Sequence, residues 1–216
     1  MPRPPAKRPS SKTSADRAAD QARSLAELRE AAADCRACPL WKPATQTVFG
    51  EGPANAKILL IGEQPGDEED RAGHPFVGPA GKLLDRALAE IGIDRDRIYL
   101  TNAVKHFKFE QRGKRRIHAK PNRAEQRACQ PWLLAEIDRL RPRWIVCLGA
   151  TAATVVFGSG FALMKNRGVV FSLEHGARAF ATVHPSYVLR QRDAASRDRE
   201  YRGLVADLSL LKTRGD

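Results

Sequence analysis

The sequence predicts an α/β fold, a three-layer αβα sandwich around a central, mostly parallel four-stranded sheet. Three observations lead there. Short apolar runs alternate along the chain with longer amphipathic segments, the order that builds a parallel sheet covered by helices on both faces. Two of the runs, AKILLIG (56–62) and RWIVCLG (143–149), end in glycine, as buried strands leading into turns do. The chain has 216 residues, 42% of them hydrophobic, enough for one domain with a sizeable core.

Residues 1–14, MPRPPAKRPSSKTS, are rich in Pro, Lys and Ser. They cannot bury enough surface to fold and are expected to form a disordered basic tail. Residues 15–216 are read as a single domain. A helix pattern runs from about 15 to 33. AKILLIG is the first strand, and GKLLDRALAEIG (81–92) is an amphipathic helix stopped by Gly92. RIYLTN (97–102) is the second strand. NRAEQRACQPWLLAEIDRL (122–140) is a helix that Pro131 kinks or splits. RWIVCLG is the third strand, and ATAATVVFG (150–158) a helix. GVVFSL (168–173) and ARAFATVHP (177–185) read as strands, and a last helix covers about 194–212.

Polar clusters follow three of the strands: GEQPGD (62–67), NAVKH (102–106) and HPS (184–186). Ligands of open α/β sheets bind outside the carboxyl ends of the strands. The three clusters are therefore expected to meet at one edge. The formal net charge of +12 points to a polyanion such as nucleic acid, or to an anionic membrane surface. No segment approaches the roughly 20 apolar residues that span a bilayer. The N-terminus lacks the apolar run of a secretory signal. A cytoplasmic protein that does not enter membranes is the expectation.

In a reducing compartment four cysteines suggest ligation more than disulfides. Cys35 and Cys38 form CRAC, while Cys129 and Cys147 stand singly, 18 positions apart. Four thiolates can hold zinc or an iron–sulfur cluster. One close pair plus two single cysteines favours a cluster held between chain segments. The alternative is that Cys129 and Cys147 are small buried core residues.

GEQPGDEED (62–70), PFVGPAGKLLD (75–85), TNAVKHF (101–107) and HPSYVLR (184–190) resemble the motifs of the iron–sulfur uracil-DNA glycosylases. The resemblance covers about residues 35–210. It implies a [4Fe–4S] cluster on Cys35, Cys38, Cys129 and Cys147, and uracil-containing DNA, single strands included, as the partner of a monomeric chain. Gln64 and KRRIH (114–118) resemble the UdgX branch, in which the histidine of KRRIH captures the deoxyribose once uracil has left.

The resemblance also implies roles. Phe76 stacks on the uracil ring. Asn102 offers a donor and an acceptor to uracil O4 and N3–H. Cytosine swaps that pattern, and leaving a buried amide unpaired costs roughly 1–3 kcal/mol. His184 donates to O2 of the departing base, where charge develops. Glu63 positions and polarises the nucleophile, with Asp67 in support or merely capping a helix. Gln64 binds sugar or phosphate near the base, and Arg190 holds a phosphate or its own loop. One of Tyr187, Val188 and Leu189 is the wedge that pushes the base out. His118, a neutral imidazole near pH 7, attacks C1′ by proximity.

Seven Lys/Arg fall between Lys105 and Lys120, a run that reads as a phosphate-binding or solvated face. Arg115 and Arg116 read as phosphate or loop anchors. Three other readings stay open: a multiple-turnover glycosylase in which water attacks, a protein that reads uracil in DNA without cutting, and, more remotely, a zinc-ribbon DNA-binding module.

Overall fold

The computed structural model describes residues 12–173 and 176–212. Most of the expected basic tail, residues 1–11, lies outside the described residues.

The sheet has five strands where four were expected: β1 (Ile58–Gly62), β2 (Ile98–Asn102), β5 (Trp144–Leu148), β6 (Phe171–Ser172) and β7 (Arg178–Thr182). Their order is β2-β1-β5-β7-β6. All neighbours are parallel except β6, which runs antiparallel to β7 at the edge. The expected strand over 168–173 contracts to those two residues. A separate hairpin pairs β3 (Phe109–Arg112) with β4 (Arg115–His118).

Alternation along the strands builds the two faces. Leu60, Leu100, Val146 and Phe180 pack with α4 (Pro79–Glu90), α8 (Pro185–Leu189) and α9 (Ala194–Leu208). Leu59, Ile61, Ile145, Ala179 and Ala181 pack on the other side, with α5 (Arg123–Leu140) and α6 (Ala150–Phe157). A smaller core beside α5 is filled from α1 (Ser14–Gln21) and α2 (Leu25–Ala33).

Local chemistry corrects several boundaries. The first helical stretch is two helices, because Ser24 adopts extended backbone and caps α2 through the Glu27 N–H. Thr13 caps α1 in a reciprocal box with Asp16. The next helix starts earlier than expected, with Pro79 in its first turn, where its missing N–H costs nothing. Pro131 does not split α5, which is continuous. Two short helices were not foreseen, α3 (Asp67–Ala72) and α7 (Leu163–Asn166). HPSYVL turns into α8, with His184 as its N-cap. Among the described residues no helix is long and apolar enough to cross a membrane.

The sheet is joined to α5 by a buried ion pair. Lys105 is 1% exposed and Glu136 0%, and Lys105 Nζ lies 2.5 Å from Glu136 Oε2. Lys105 Nζ also donates to Thr101 Oγ1 and to the Asn102 carbonyl, at 2.6 and 2.9 Å. Glu136 further accepts from Tyr99 Oη, Thr101 Oγ1 and the Gly50 N–H. Every polar atom of the pair is used, which is what makes such burial tolerable. Removing one partner strands the other charge without solvent. Lys105→Met is therefore expected to lose about 3–5 kcal/mol of unfolding free energy, read as a lowered midpoint in urea denaturation.

Candidate functional site

The segments after β1, β2 and β7 come together, as the placement of the polar clusters implied: Gly62 lies against Asn102 and Phe76, and the Phe76 ring against His184. Glu63 follows β1 directly. Its Oε2 accepts a hydrogen bond from Thr151 Oγ1 in the first turn of α6. Its Oε1 lies 3.5 Å from His118 Nε2, at the end of β4. That is beyond a good hydrogen bond, so the two groups flank one point in space. Thr151, 3% exposed, was not singled out from the sequence. Its signal was a helix N-terminus opening right after a strand at this same edge.

The hairpin carrying His118 is built by alternation around Gly113. Phe109 pairs with His118 and Gln111 with Arg116, so Arg116 and His118 share one face. The Phe107 ring lies 6.2 Å from the His118 ring, and the Arg116 guanidinium sits over Phe107 and Phe109. Gly113 has φ +59°, the left-handed backbone a tight turn needs.

Buried polar groups pin this hairpin. Arg116 pairs with Asp67 and, at 2.6 Å, with Asp70 Oδ2; Asp70 is fully buried. Gln64 accepts from the Lys108 N–H at 3.0 Å and donates to the carbonyls of Lys108 and Ala119 at 3.2 and 3.0 Å. The sequence suggested sugar or phosphate binding for Gln64, but its amide is taken up by the two ends of the hairpin. Asp67 likewise holds Arg116 and Arg71. The basic run is also less of a phosphate face than it reads. Lys105, Lys108 and Arg116 pair internally with Glu136, Glu125 and the two aspartates. Arg112, Lys114, Arg115 and Lys120 remain exposed.

The other wall holds Phe76, Asn102 and His184. A Cβ at Gly62 would lie 2.3 Å from Asn102 Oδ1 and 2.7 Å from Phe76 Cζ, so only glycine lets both close in on the end of β1. Asn102 is 3% exposed. Among the described residues its carboxamide makes no hydrogen bond, which leaves donor and acceptor open to a ligand. The Phe76 and His184 rings are stacked with centroids 6.0 Å apart.

His184 Nδ1 accepts from the Ser186 N–H at 3.2 Å, so the ring proton resides on Nε2 and can be donated. Burial, reinforced by the charges of Arg190 and His118, lowers the His184 pKa from 6.5 to about 4. His118 is also lowered, by burial first and by Arg190, against the opposing pull of Glu63. His184 is thus neutral near pH 7, while the His118 side chain is half exposed. Arg190 Nη1 donates to Ser186 Oγ at 2.9 Å, holding its own loop. Of the three wedge candidates, Val188 is fully buried, whereas Tyr187 and Leu189 are each 37% exposed.

Three cysteines come together and one does not. Cys35, Cys38 and Cys129 share the small core beside α5, and the Lys105 N–H donates to Cys129 Sγ at 3.2 Å. Cys147 points from β5 into the separate apolar layer under α5 and α6. Burial alone raises its thiol pKa, with no other cysteine contributing. Among the described residues no three donors are close enough for a single metal ion. A second residue the sequence reading missed is His106. It is 4% exposed, follows Lys105 in the chain, and places Nε2 2.9 Å from Thr47 Oγ1. Thr47 gives its one proton to the carbonyls of Ala32 and Ala33, just ahead of Cys35. His106 Nε2 must then be the donor, which leaves Nδ1 with its lone pair.

Residues 49–209 match the sequence profile of the uracil DNA glycosylase superfamily. The chain is similar to the Type-4 uracil-DNA glycosylase of Thermotoga maritima, with 40% identity over 182 residues, 84% of this chain and 91% of the relative. It is 35% identical to the Type-4 uracil-DNA glycosylase of Archaeoglobus fulgidus over 173 residues, 77% of this chain and 83% of the relative. A Type-5 uracil-DNA glycosylase of Pyrobaculum aerophilum is 31% identical over 153 residues, 62% of this chain and 63% of that protein.

The neutral His184 has a consequence for acid stability. Its folded pKa of about 4 lies below the ordinary 6.5, so the unfolded chain takes up this proton first as pH falls. The stability it contributes is complete above about pH 6.5 and is lost on the way down to pH 4. Urea denaturation across that window should show stability declining with acid, with a shallower decline in His184→Asn. An unchanged slope in that variant would sink the assignment.

Proposed function

The chain belongs to the uracil-DNA glycosylase superfamily, and from that footing we propose that it excises uracil from DNA and then stays bonded to the abasic deoxyribose through His118, as in the UdgX branch. The observation that carries the second half is the pinned hairpin. It holds His118 3.5 Å from Glu63, with Gln64, Asp67 and Asp70 fixing its base.

The chemistry follows from the cleft. The extrahelical uracil stacks on Phe76 and is read by Asn102. The C1′–N1 bond breaks and its electron pair leaves with the base. His184 Nε2–H stabilises the charge developing at O2, and its depressed pKa keeps it a neutral donor. The Glu63 carboxylate, oriented by Thr151, steadies the cationic sugar. An imidazole nitrogen of His118 gives its lone pair to C1′, forming an N–C1′ bond. The resulting imidazolium sheds its N–H proton to water, and the uracil anion takes one up. No good leaving group remains on C1′, so the chain acts once. DNA is held by phosphate contacts from the outward basic residues, and single strands, already unstacked, enter most readily.

A [4Fe–4S] cluster fits the donor set beside α5. Cys35, Cys38 and Cys129 would supply thiolates, and His106, with Nδ1 free, would complete the set in place of Cys147. Such a cluster would tie residues 35–38 to α5 and to the segment after β2, a structural role. Protein purified without air should be brown with broad visible absorption. Cys147→Ala should keep that colour and Cys129→Ala should lose it; the reverse pattern would restore Cys147 as a ligand.

The glycosylase proposal is tested by mixing the protein with a uracil-containing oligonucleotide and running a denaturing gel after boiling. A protein–DNA band that disappears with His118→Ala is expected. His118→Ser should leave room for water and release free abasic DNA over many turnovers. Alkali-labile strands without any band in the wild type would mean that water attacks. Intact DNA would mean a binding protein.

A further inference from the structure

Phe76 carries the strain at this site. Its φ is +57°, in the left-handed region that a bulky aromatic residue rarely occupies. Such a conformation persists only where the surroundings over-determine it, and it gathers at functional positions. Two neighbours hold it. Gly81, in α4, is so close that a Cβ there would meet the Phe76 carbonyl oxygen at 1.8 Å. Arg95, in the short 3-10 turn Arg95–Arg97 that precedes β2, donates from Nη2 to the carbonyls of Pro75 and Phe76, each at 3.2 Å. Its Nη1 pairs with Asp85 Oδ1 on α4.

We propose that Arg95, steered by Asp85, is a positioning residue that sets the Phe76 ring for stacking on uracil. This rests on the reading of Phe76 as the stacking residue. The guanidinium touches no substrate; it acts through the backbone on which the ring is mounted. A planar fork suits the task because it grips two successive carbonyls and a carboxylate at once, which a lysine ammonium would do without fixed geometry. With the 75–76 backbone gripped, the ring is held against His184 and over Gly62 before DNA arrives. Released, residue 76 would relax out of the left-handed region and turn its ring away.

The test compares Arg95→Met, Asp85→Asn and Phe76→Ala with wild type, using Arg97→Gln as a control for lost positive charge on the same turn. Free uracil is titrated as an inhibitor of excision, measured in a single turnover with enzyme in excess. That readout is the same whether or not the chain is captured. Arg95→Met should weaken inhibition by uracil about tenfold, on the scale of one base–aromatic stack. Asp85→Asn should weaken it less, and Arg97→Gln not at all. Affinity for abasic-site DNA, which lacks the base, should stay at the wild-type level in Arg95→Met; a loose fold would lower both. If Phe76→Ala weakens uracil and Arg95→Met does not, Arg95 is not the positioning residue. If neither changes it, the stacking role of Phe76 falls and this inference falls with it.

Discussion

The buried pair of Lys105 and Glu136 is the interaction on which the rest of the site depends. Two charges out of reach of water can be kept only if every donor and acceptor around them is placed. The pair therefore dictates where Gly50, Tyr99, Thr101 and the Asn102 carbonyl must lie. One residue links three functions. Lys105 Nζ fixes the backbone of Asn102, its own N–H meets Cys129 Sγ, and the chain runs from it through His106 into the hairpin that carries His118. A purely apolar contact in this place would tolerate sliding. The ion pair does not, because a displaced charge loses its partners before it regains solvent.

Much of the fold was legible because it rests on short-range patterns. Strands β1, β2, β5 and β7 announce themselves as apolar runs of the right length, and their alternation with amphipathic helices gives the parallel order. The convergence of Glu63, Asn102 and His184 followed from the rule for strand ends. The fifth strand was harder to read. GVVFSL is apolar enough for six residues of strand, yet its ladder with β7 holds only Phe171 and Ser172, with single hydrogen bonds from the Gly168 and Leu173 N–H groups to the carbonyls of Ala181 and Ala177 beside it. Pro131 does not split its helix, for a related reason. Local propensity says break, but α5 packs against the sheet and two other helices, and that burial outweighs one missing hydrogen bond.

The hairpin and the thiols mark where sequence reading stops. A period of two was present in FKFEQRGKRRIH, hidden by its charge. A run dense in arginine and lysine looks like a solvated face, while the structure turns Arg116 inward against two aspartates from α3. Gln64 looked like a ligand-binding residue because its partners, Lys108 and Ala119, lie far along the chain. Counting cysteines gave four donors. The structure brings three of them to one core, while Cys147 belongs to the alternating inner face of β5. His106 went unnoticed because histidine spacing alone carries no signature of ligation.

The way the hairpin is anchored separates two responses to ionic strength. Contacts between outward basic side chains and phosphates weaken steeply as salt rises, because each displaces condensed counterions. The groups fixing His118 are of another kind. Asp70 is fully buried and Gln64 is 6% exposed, the Arg116 side chain is only 12% exposed, and an amide carries no charge to screen. Mobile ions act on pairs they can surround; they reach Asp67, whose side chain is 40% exposed, but not Asp70 or Gln64. Rising salt therefore lowers how often DNA is held without loosening the geometry that meets it, so brine and fresh buffer differ in encounter but share one arrangement of Glu63 and His118.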